Sequence, residues 1–389
     1  MEAVIFDLDG TILDTETVLK QVVVQMLAQY GKAEGWDADS YAGWGKRAAE
    51  ACQDLVDQLE LPVTADEFHA QCQPLLHESF KTARIMPGIQ RLVEHLKAQN
   101  VPLAIVSSSS RSSYELKQGD CPAKRSIFQK VECVVCAEDV VEGKPSPEGY
   151  LKAAKSLGIE PGHCLVIEDS LNGVQAAKRA GMRCTAVPTL AKSEAKYEEA
   201  GADEVLHTTL DFKPERWGLA GFSDLVAGTV PRLPPLRIAG EVVRGFGRGS
   251  KSLGIPTANL PSEKLPDILC QAANGIYVGW ASVGASPKVY KMVMSIGWNP
   301  TFDDVKVKTV EPHLLHVFED DFYDEQLRLV ICGYVRPELK YTTLEALIEA
   351  INGDIRTGHA ALDLAPYKAL QDDPFLQPDA PQPVKVATL

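Results

Sequence analysis

Two clusters of residues in this chain have the types and the spacing to handle phosphate. At the start, Asp7-Leu8-Asp9-Gly10-Thr11 follows the apolar run Val4-Ile5-Phe6, and its two carboxylates lie two residues apart, on one face of an extended backbone. Such a pair suits covalent catalysis. One carboxylate attacks phosphorus to form an aspartyl-phosphate, while the other protonates the leaving alcohol and then activates water. Lys144, in Gly143-Lys144-Pro145-Ser146-Pro147, supplies a cation for the phosphate oxygens, and Ser107, in Val106-Ser107-Ser108-Ser109, supplies a hydroxyl donor. Glu168-Asp169 adds oxygen ligands suited to Mg²⁺.

The second cluster runs from Gly245-Phe-Gly-Arg-Gly-Ser-Lys251 to Pro256-Thr257-Ala258-Asn259. It narrowly misses a Walker loop, with Ser250 where the last glycine belongs, and the prolines at Pro256 and Pro261 exclude the helix that a Walker loop opens. The glycines still let backbone N–H groups approach phosphates closely. Thr257 and Asn259, on one side of an extended segment, offer two neutral oxygens to a Mg²⁺ that ATP already partly neutralises.

Elements that position these residues are legible as periodicities. Apolar runs at Val4–Phe6, Leu103–Val106, Val131–Cys136 and Leu165–Ile167 alternate with helix-period segments, the pattern of a parallel α/β sheet, and the first cluster sits just beyond them. Between the first two runs lie roughly seventy residues rich in Ala, Gln, Glu and Leu, which predict a helical insertion over about 15–85, a cap above the site. A proline-rich stretch at 223–235 reads as a connector after a first domain at 1–222. In a second domain, 236–370, the segments Arg237–Val243, Gly275–Ser282, Lys291–Ile296, Thr309–Phe318 and Leu327–Arg336 read as strands without helices between them, so an antiparallel barrel is expected. One helix over Leu344–Ile355 closes it, and residues 371–389, rich in Pro and Asp, are expected to be a disordered tail.

Composition narrows the partners. A chain of 389 residues fits two globular domains, and its net charge of −14 argues against general affinity for nucleic acid or anionic membranes. Nine cysteines, an odd number spread over both halves, make no disulfide framework and suit a reducing compartment. With Met1-Glu2 leading straight into a strand and no stretch able to span a bilayer, the expected location is the cytoplasm. Neither His313-Leu-Leu-His316 nor Cys133-Val-Val-Cys136 reads as a zinc pair, because residues three apart in a strand point to opposite faces.

The four elements of the first cluster, in this order and spacing, resemble the haloacid dehalogenase superfamily of phosphohydrolases over residues 1 to about 220. That resemblance implies a Rossmann-like core with an inserted helical cap. It further implies Asp7 as nucleophile and Mg²⁺ ligand, Asp9 as acid/base whose backbone carbonyl also binds the metal, Ser107 and Lys144 as phosphate ligands, and Asp169 as the remaining metal ligand with Glu168 nearby. In the cap, Gly43-Trp44-Gly45-Lys46-Arg47 resembles the loop by which relatives read the leaving group; Trp44, Lys46 and Arg47 are the specificity candidates. Trp36 and Tyr41 lie close by in sequence, so an aromatic ring with cations stacking on a flat heterocycle stands beside the plainer reading of cap core.

The second cluster, with Trp298-Asn299-Pro300-Thr301-Phe302, Val310-Glu311-Pro312-His313, Asp321-Phe322-Tyr323 and Gly333-Tyr334-Val335-Arg336-Pro337-Glu338, resembles riboflavin kinase over residues 236 to about 365. A six-stranded antiparallel barrel with a C-terminal helix is implied. So are Glu311 as the base toward the ribityl hydroxyl; Gly245, Lys251, Thr257 and Asn259 as ligands of ATP and Mg²⁺; Leu314, His316 and Tyr323 near the nucleotide; and Arg336 and Tyr341 in the loop at the flavin. Asp324 departs from the family, which commonly has glycine there. A phosphatase of this kind ahead of riboflavin kinase resembles the bifunctional FMN hydrolase/riboflavin kinase family of plants and algae, which implies riboflavin, FMN and ATP as the small-molecule substrates. Two alternatives stay open for the first domain: another phosphomonoester such as a sugar or polyol phosphate, or a non-catalytic flavin sensor, which would not need both carboxylates.

Overall fold

All four residues of β1 (Ala3–Phe6) are buried, the mark of a strand covered on both faces. It pairs in parallel with β2 (Leu103–Val106) on one side and, on the other, with β4 (Cys164–Glu168), which follows β3 (Cys133–Val135) in the chain. With β5 (Arg183–Ala186) and β6 (Glu204–Val205) the sheet runs in the order β3-β2-β1-β4-β5-β6. The chain leaves β1 toward β2 and β3 and then crosses back to β4. That reversal opens a crevice at the carboxyl ends of β1, β2 and β4, where open α/β sheets bind ligands.

The computed structural model describes residues 1–36, 41, 48–188, 194–244, 255–261, 272–297 and 309–380. It divides into two units, 1–209 with 213–220 and 210–212 with 221–389.

In the first unit, the expected insertion consists of α1 (Thr15–Gln29), α2 (Ala48–Leu59) and α3 (Ala65–Phe80). Asp14 caps α1 by accepting from Thr17 N, and Thr64 and Glu67 form a capping box at α3, which satisfies otherwise orphaned N–H groups. Val22, Met26, Leu27, Leu55, Phe68 and Leu76 meet in a core separate from that of the sheet. The two crossings between cap and core lie side by side, with Asp14 N donating to Arg84 O and Met86 N to Ile12 O. The sheet is flanked by α4 (Ile89–Ala98), α5 (Arg111–Gln118), α6 (Pro122–Phe128), α7 (Glu148–Leu157), α8 (Leu171–Arg179) and α9 (Glu194–Glu199).

The second unit is a sheet of β7 (Val230–Glu241), β8 (Gly275–Val283), β9 (Val289–Gly297), β10 (Thr309–Leu314) and β11 (Gln326–Arg336), ordered β10-β9-β8-β11-β7 and antiparallel at every pairing. Residues 258–260 bridge its two ends: Val243 N donates to Asn259 O, while Ala258 N and Leu260 N donate to Pro312 O and Val310 O. This segment occupies the sixth place and closes the barrel around Ile238, Met292, Met294, Ile296, Leu329 and Ile331. Outside it lies α10 (Leu344–Leu362), where Gly358 lets helix and sheet approach: a Cβ there would meet Val293 Cγ2 at 2.7 Å and Val278 Cγ1 at 2.8 Å.

Two expected boundaries shift. The connector at 223–235 ends early, because β7 begins at Val230 and pairs Val230 with Tyr334 and Pro231 with Gly333. Pro231, Pro234 and Pro235 fit at an edge strand beside the irregular register at Ile331/Gly333, where few ladder N–H groups are required. Residues 371–380, within the expected tail, are ordered. Phe375 and Leu376 are buried, Asp373 pairs with Arg237 at 2.6 Å, and Arg328 donates to the carbonyls of Pro378 and Ala380. Two apolar side chains and a buried arginine outweigh the Pro-rich composition from which disorder was expected. Among the described residues no helix is long and apolar enough to cross a membrane.

Candidate active sites

At the end of β1, Asp7 turns toward Lys144, whose Nζ donates to Asp7 Oδ1 at 2.5 Å and to Glu168 Oε1 at 2.5 Å. Glu168 ends β4 fully buried and takes three more hydrogen bonds, from Tyr150 OH at 3.1 Å and from Ser170 N and Oγ at 2.7 and 2.9 Å. Ser170 also caps α8 by accepting from Gly173 N. Asp169 lies beside Thr11 Oγ1 and is backed by Gly10, at φ 85°, where any Cβ would stand 2.3 Å from Asp169 Oδ2. The glycine of the Asp7-to-Thr11 motif is thus needed both for its backbone and for the space of a carboxylate.

Burial, then Glu168 and Asp9, push Asp7 up to about 7 against the opposing Lys144. Asp169 is raised well above the carboxylate range by burial and by Glu168 and Asp7. Burial works against the Lys144 charge, yet Asp7 and Glu168 reverse this and hold the ammonium well above its ordinary value. Three buried carboxylates therefore face one ammonium in this crevice, a surplus of negative charge that a divalent cation relieves. Among the described residues no group of three or more His, Cys, Asp or Glu side chains is placed to hold a metal. Mg²⁺ does not need one: one or two carboxylates suffice when carbonyl, water and substrate phosphate oxygens complete the shell, and Asp7 and Asp169 are the carboxylates here that could hold it.

Asp9 does not share Asp7's partners. Its Oδ2 accepts from Ser109 Oγ at 2.8 Å and Ser107 Oγ at 3.3 Å, and its Oδ1 accepts from Lys117 Nζ at 2.6 Å. Burial opposes ionisation, but Lys117 and the hydroxyl of Ser109 prevail and hold the Asp9 carboxyl below its usual range. Ser107 and Lys144 also line a cavity of about 150 Å³ with Tyr150 and the chain at 140–146.

In the second unit, buried and half-exposed residues alternate in both segments at the closure: Val310, Pro312, Ala258 and Leu260 are buried, Glu311, Thr257 and Asn259 half-exposed. The register opposes Leu260 to Val310 and Ala258 to Pro312, so Asn259 and Glu311 are opposed on the outer face. His313 Nδ1, bonded to Pro256 O at 2.7 Å, belongs to the same face. Burial raises the Glu311 carboxyl above its ordinary value, against a hydrogen bond from Thr309, which favours it as a proton acceptor.

Leu314 packs in the barrel core, whereas the His316 ring lies on Tyr290 and Phe318 at centroid distances of 4.7 and 4.9 Å. Tyr323 carries Arg244 over its ring at 4.7 Å. Arg336 pairs with both oxygens of Asp354 on α10, at 2.8 and 2.6 Å, with Tyr341 beneath its guanidinium. Trp44, Lys46, Arg47, Gly245 and Lys251 lie outside the described residues. Tyr41 is buried with its hydroxyl on Ala51 O, and Trp36 packs beside it, so both belong to the cap core.

Sequence reasoning missed Lys117 and Ser109 on Asp9, and the burial of Lys144 between two carboxylates. The signal for Lys117 was a lysine three residues after Tyr114, in phase with the apolar face of α5.

Carboxylates at the end of the first strand and two residues on, with a lysine and an aspartate from later crossovers, form a site able to handle phosphate on a Rossmann-like sheet, and an antiparallel barrel follows it in the chain. Residues 1–181 match the family model for haloacid dehalogenase-like hydrolases and residues 233–362 that for riboflavin kinase. The chain is 44% identical over 374 residues to a bifunctional riboflavin kinase/FMN phosphatase of Arabidopsis thaliana, covering 96% of each chain. It is also 52% identical over 143 residues to a riboflavin kinase of Mus musculus, covering 37% of this chain and 91% of the relative. A mitochondrial (DL)-glycerol-3-phosphatase 1 of Arabidopsis thaliana is 37% identical over 228 residues, covering 57% of this chain and 74% of the relative. The chain belongs to the bifunctional riboflavin kinase/FMN phosphatase family.

Proposed function

We propose that the second unit transfers the γ-phosphoryl group of ATP to riboflavin to give FMN, and that the first hydrolyses FMN to riboflavin and phosphate. The observation that carries this reading is similarity along essentially the whole chain to a bifunctional relative.

In the hydrolase, the Asp7 carboxylate attacks phosphorus and the bond to the ribityl oxygen breaks as Asp9 gives that oxygen a proton, which its carboxyl, ionised in the free protein, takes up when the phosphate dianion enters beside it. Asp9 then takes a proton from water, whose oxygen attacks phosphorus and releases Asp7. Lys144 and Ser107 hold the phosphoryl oxygens, and Mg²⁺ held by Asp7, Asp169 and the Asp9 carbonyl would offset their charge. In the kinase, Glu311 takes the proton of the ribityl hydroxyl as its oxygen attacks the γ-phosphorus and the bond to the β-phosphate oxygen breaks; Thr257 and Asn259 would hold the Mg²⁺ that comes with ATP and offset the charge of its phosphates. The described cysteines are free thiols, as a cytoplasmic protein requires.

Similarity to a glycerol-3-phosphatase favours, as a second reading, a polyol phosphate as the hydrolase substrate. One experiment separates the two. Glu311→Gln silences the kinase, and phosphate release with Mg²⁺ is measured from FMN beside polyol and sugar phosphates. Highest kcat/KM on FMN, abolished by adding Asp7→Asn, supports opposed reactions on one vitamin; negligible FMN turnover beside brisk turnover of another ester removes it.

A further inference from the structure

The contacts of Lys117 are unlike those of the other residues around the hydrolase site. Its side chain is 3% exposed, and its ammonium has three donors to place. Nζ gives one to Asp9 Oδ1 at 2.6 Å and one to Ser109 Oγ at 2.7 Å, and it stands 4.8 Å from the centre of the Phe80 ring, the last residue of cap helix α3. Ser109 in turn donates to Asp9 Oδ2 at 2.8 Å. Lys117 and Ser109 therefore grip both oxygens of one carboxylate, which fixes its rotation.

The helix carrying this lysine is itself tied to the cap. Lys124, also 3% exposed, donates to Lys117 O at 3.1 Å and to Lys81 O at 2.9 Å, joining the carbonyl ends of α5 and α3. At Gly119 a Cβ would stand 2.5 Å from Lys81 O, so the two chains touch there. The seat of Asp9 is thus built partly from core and partly from cap.

We infer that Lys117 is a positioning residue for the hydrolase, orienting the Asp9 carboxyl group together with Ser109 in a seat that the end of cap helix α3 completes. This rests on the reading of Asp9 as acid and base proposed above. An acid matters when the leaving oxygen is an alkoxide and much less when it is a phenolate, so the inference has its own readout. In the full-length protein with Mg²⁺, kcat is measured for FMN and for p-nitrophenyl phosphate. Lys117→Met lowers the ratio of the two rates ~10-fold or more, Ser109→Ala shifts it the same way by less, and Asp9→Asn lowers it further. In the Asp9→Asn background, Lys117→Met changes the ratio no more, because its route is already lost.

Equal losses on both substrates, or an undiminished effect of Lys117→Met in the Asp9→Asn protein, would assign Lys117 to structure alone and overturn the inference. If Lys117→Met does not fold, Ser109→Ala, the loss of one hydroxyl, carries the same test. Should the wild type ignore FMN yet cleave another alkyl phosphate, that ester replaces FMN in the ratio: the substrate proposal then fails, and the Lys117 test proceeds unchanged.

Discussion

Lys144 touches Asp7 at 2.5 Å while gripping Glu168 equally closely, so the nucleophile and a fully buried carboxylate depend on one ammonium. Removing one partner of a buried pair costs about 3–5 kcal/mol, because the charge left behind has no compensation. Here two carboxylates are left behind. Lys144→Met is expected to lower the melting temperature of the hydrolase unit by several degrees and its kcat by about 10³-fold, the scale of losing one charge-stabilising donor, with riboflavin kinase activity retained. Calorimetry with both assays checks this; a stable, active Lys144→Met protein would contradict it.

The position of Asp7 predicts how metal and pH interact. Its folded value of about 7 lies above the ordinary 3.8, so its contribution to stability is fully present below about 3.8 and is lost as pH rises through about 7. Without Mg²⁺ the hydrolase unit should melt lower at pH 7.5 than at pH 5. Mg²⁺ needs the ionised carboxylate, so its affinity should rise with pH across the same window and restore stability most at the upper end. Titration calorimetry at several pH values tests the coupling; a metal affinity independent of pH would dissociate Asp7 from it.

Gly173 sets a limit on helix α8. A Cβ there would lie 1.6 Å from Glu168 Oε1, a carboxylate pinned by Lys144, Tyr150 and Ser170 and unable to withdraw. Ala in place of Gly within a helix gains roughly 0.5–1 kcal/mol, while overpacking a fixed core costs roughly 1–3 kcal/mol or more. The clash wins. Gly173→Ala is expected to destabilise the first unit and depress phosphatase turnover, measured by denaturant unfolding and phosphate release.

How much of this was legible differs between the two sites. Asp7, Lys144 and Asp169 could be read because each follows a strand-like apolar run, and parallel strands gather their carboxyl ends into one crevice whatever the loops contain. Lys117 could not be assigned a target, since what a helix faces is decided by packing, and only the folded chain brings Lys117 to Asp9 and to the Phe80 ring of the cap. The opposition of Asn259 to Glu311 likewise depends on a register between segments some fifty residues apart, and alternation gives the face but not the partner. Prolines at 231–235 misled because an edge strand tolerates them. The tail misled because Phe375 and Leu376 outweigh their polar neighbours.

Glu311 stands on the outer face of β10 opposite Asn259, its carboxyl raised by burial. Glu311→Gln keeps shape and removes the base, so kcat for riboflavin phosphorylation should fall about 10²- to 10⁴-fold with little change in KM for ATP. Asn259→Ala should instead raise the Mg²⁺·ATP requirement. If Glu311→Gln altered KM alone, the residue would be a binding group and the proton would need another acceptor.

Asp324 has φ 66°, in the left-handed region, and its N–H donates to Val242 O beside the closure of the barrel. Glycine adopts this conformation freely, Asp tolerates it through its short polar side chain, and alanine has neither advantage. Replacing it therefore tests the turn itself. Asp324→Ala should destabilise the kinase unit by about 1 kcal/mol, whereas Asp324→Gly should be neutral or stabilising by roughly 0.5 kcal/mol, since relief of the backbone slightly exceeds the entropy that glycine adds to the unfolded chain. Chemical denaturation of the three proteins gives the order directly. Ala more stable than Gly at this position would mean that the left-handed backbone of Asp324 does not limit the turn.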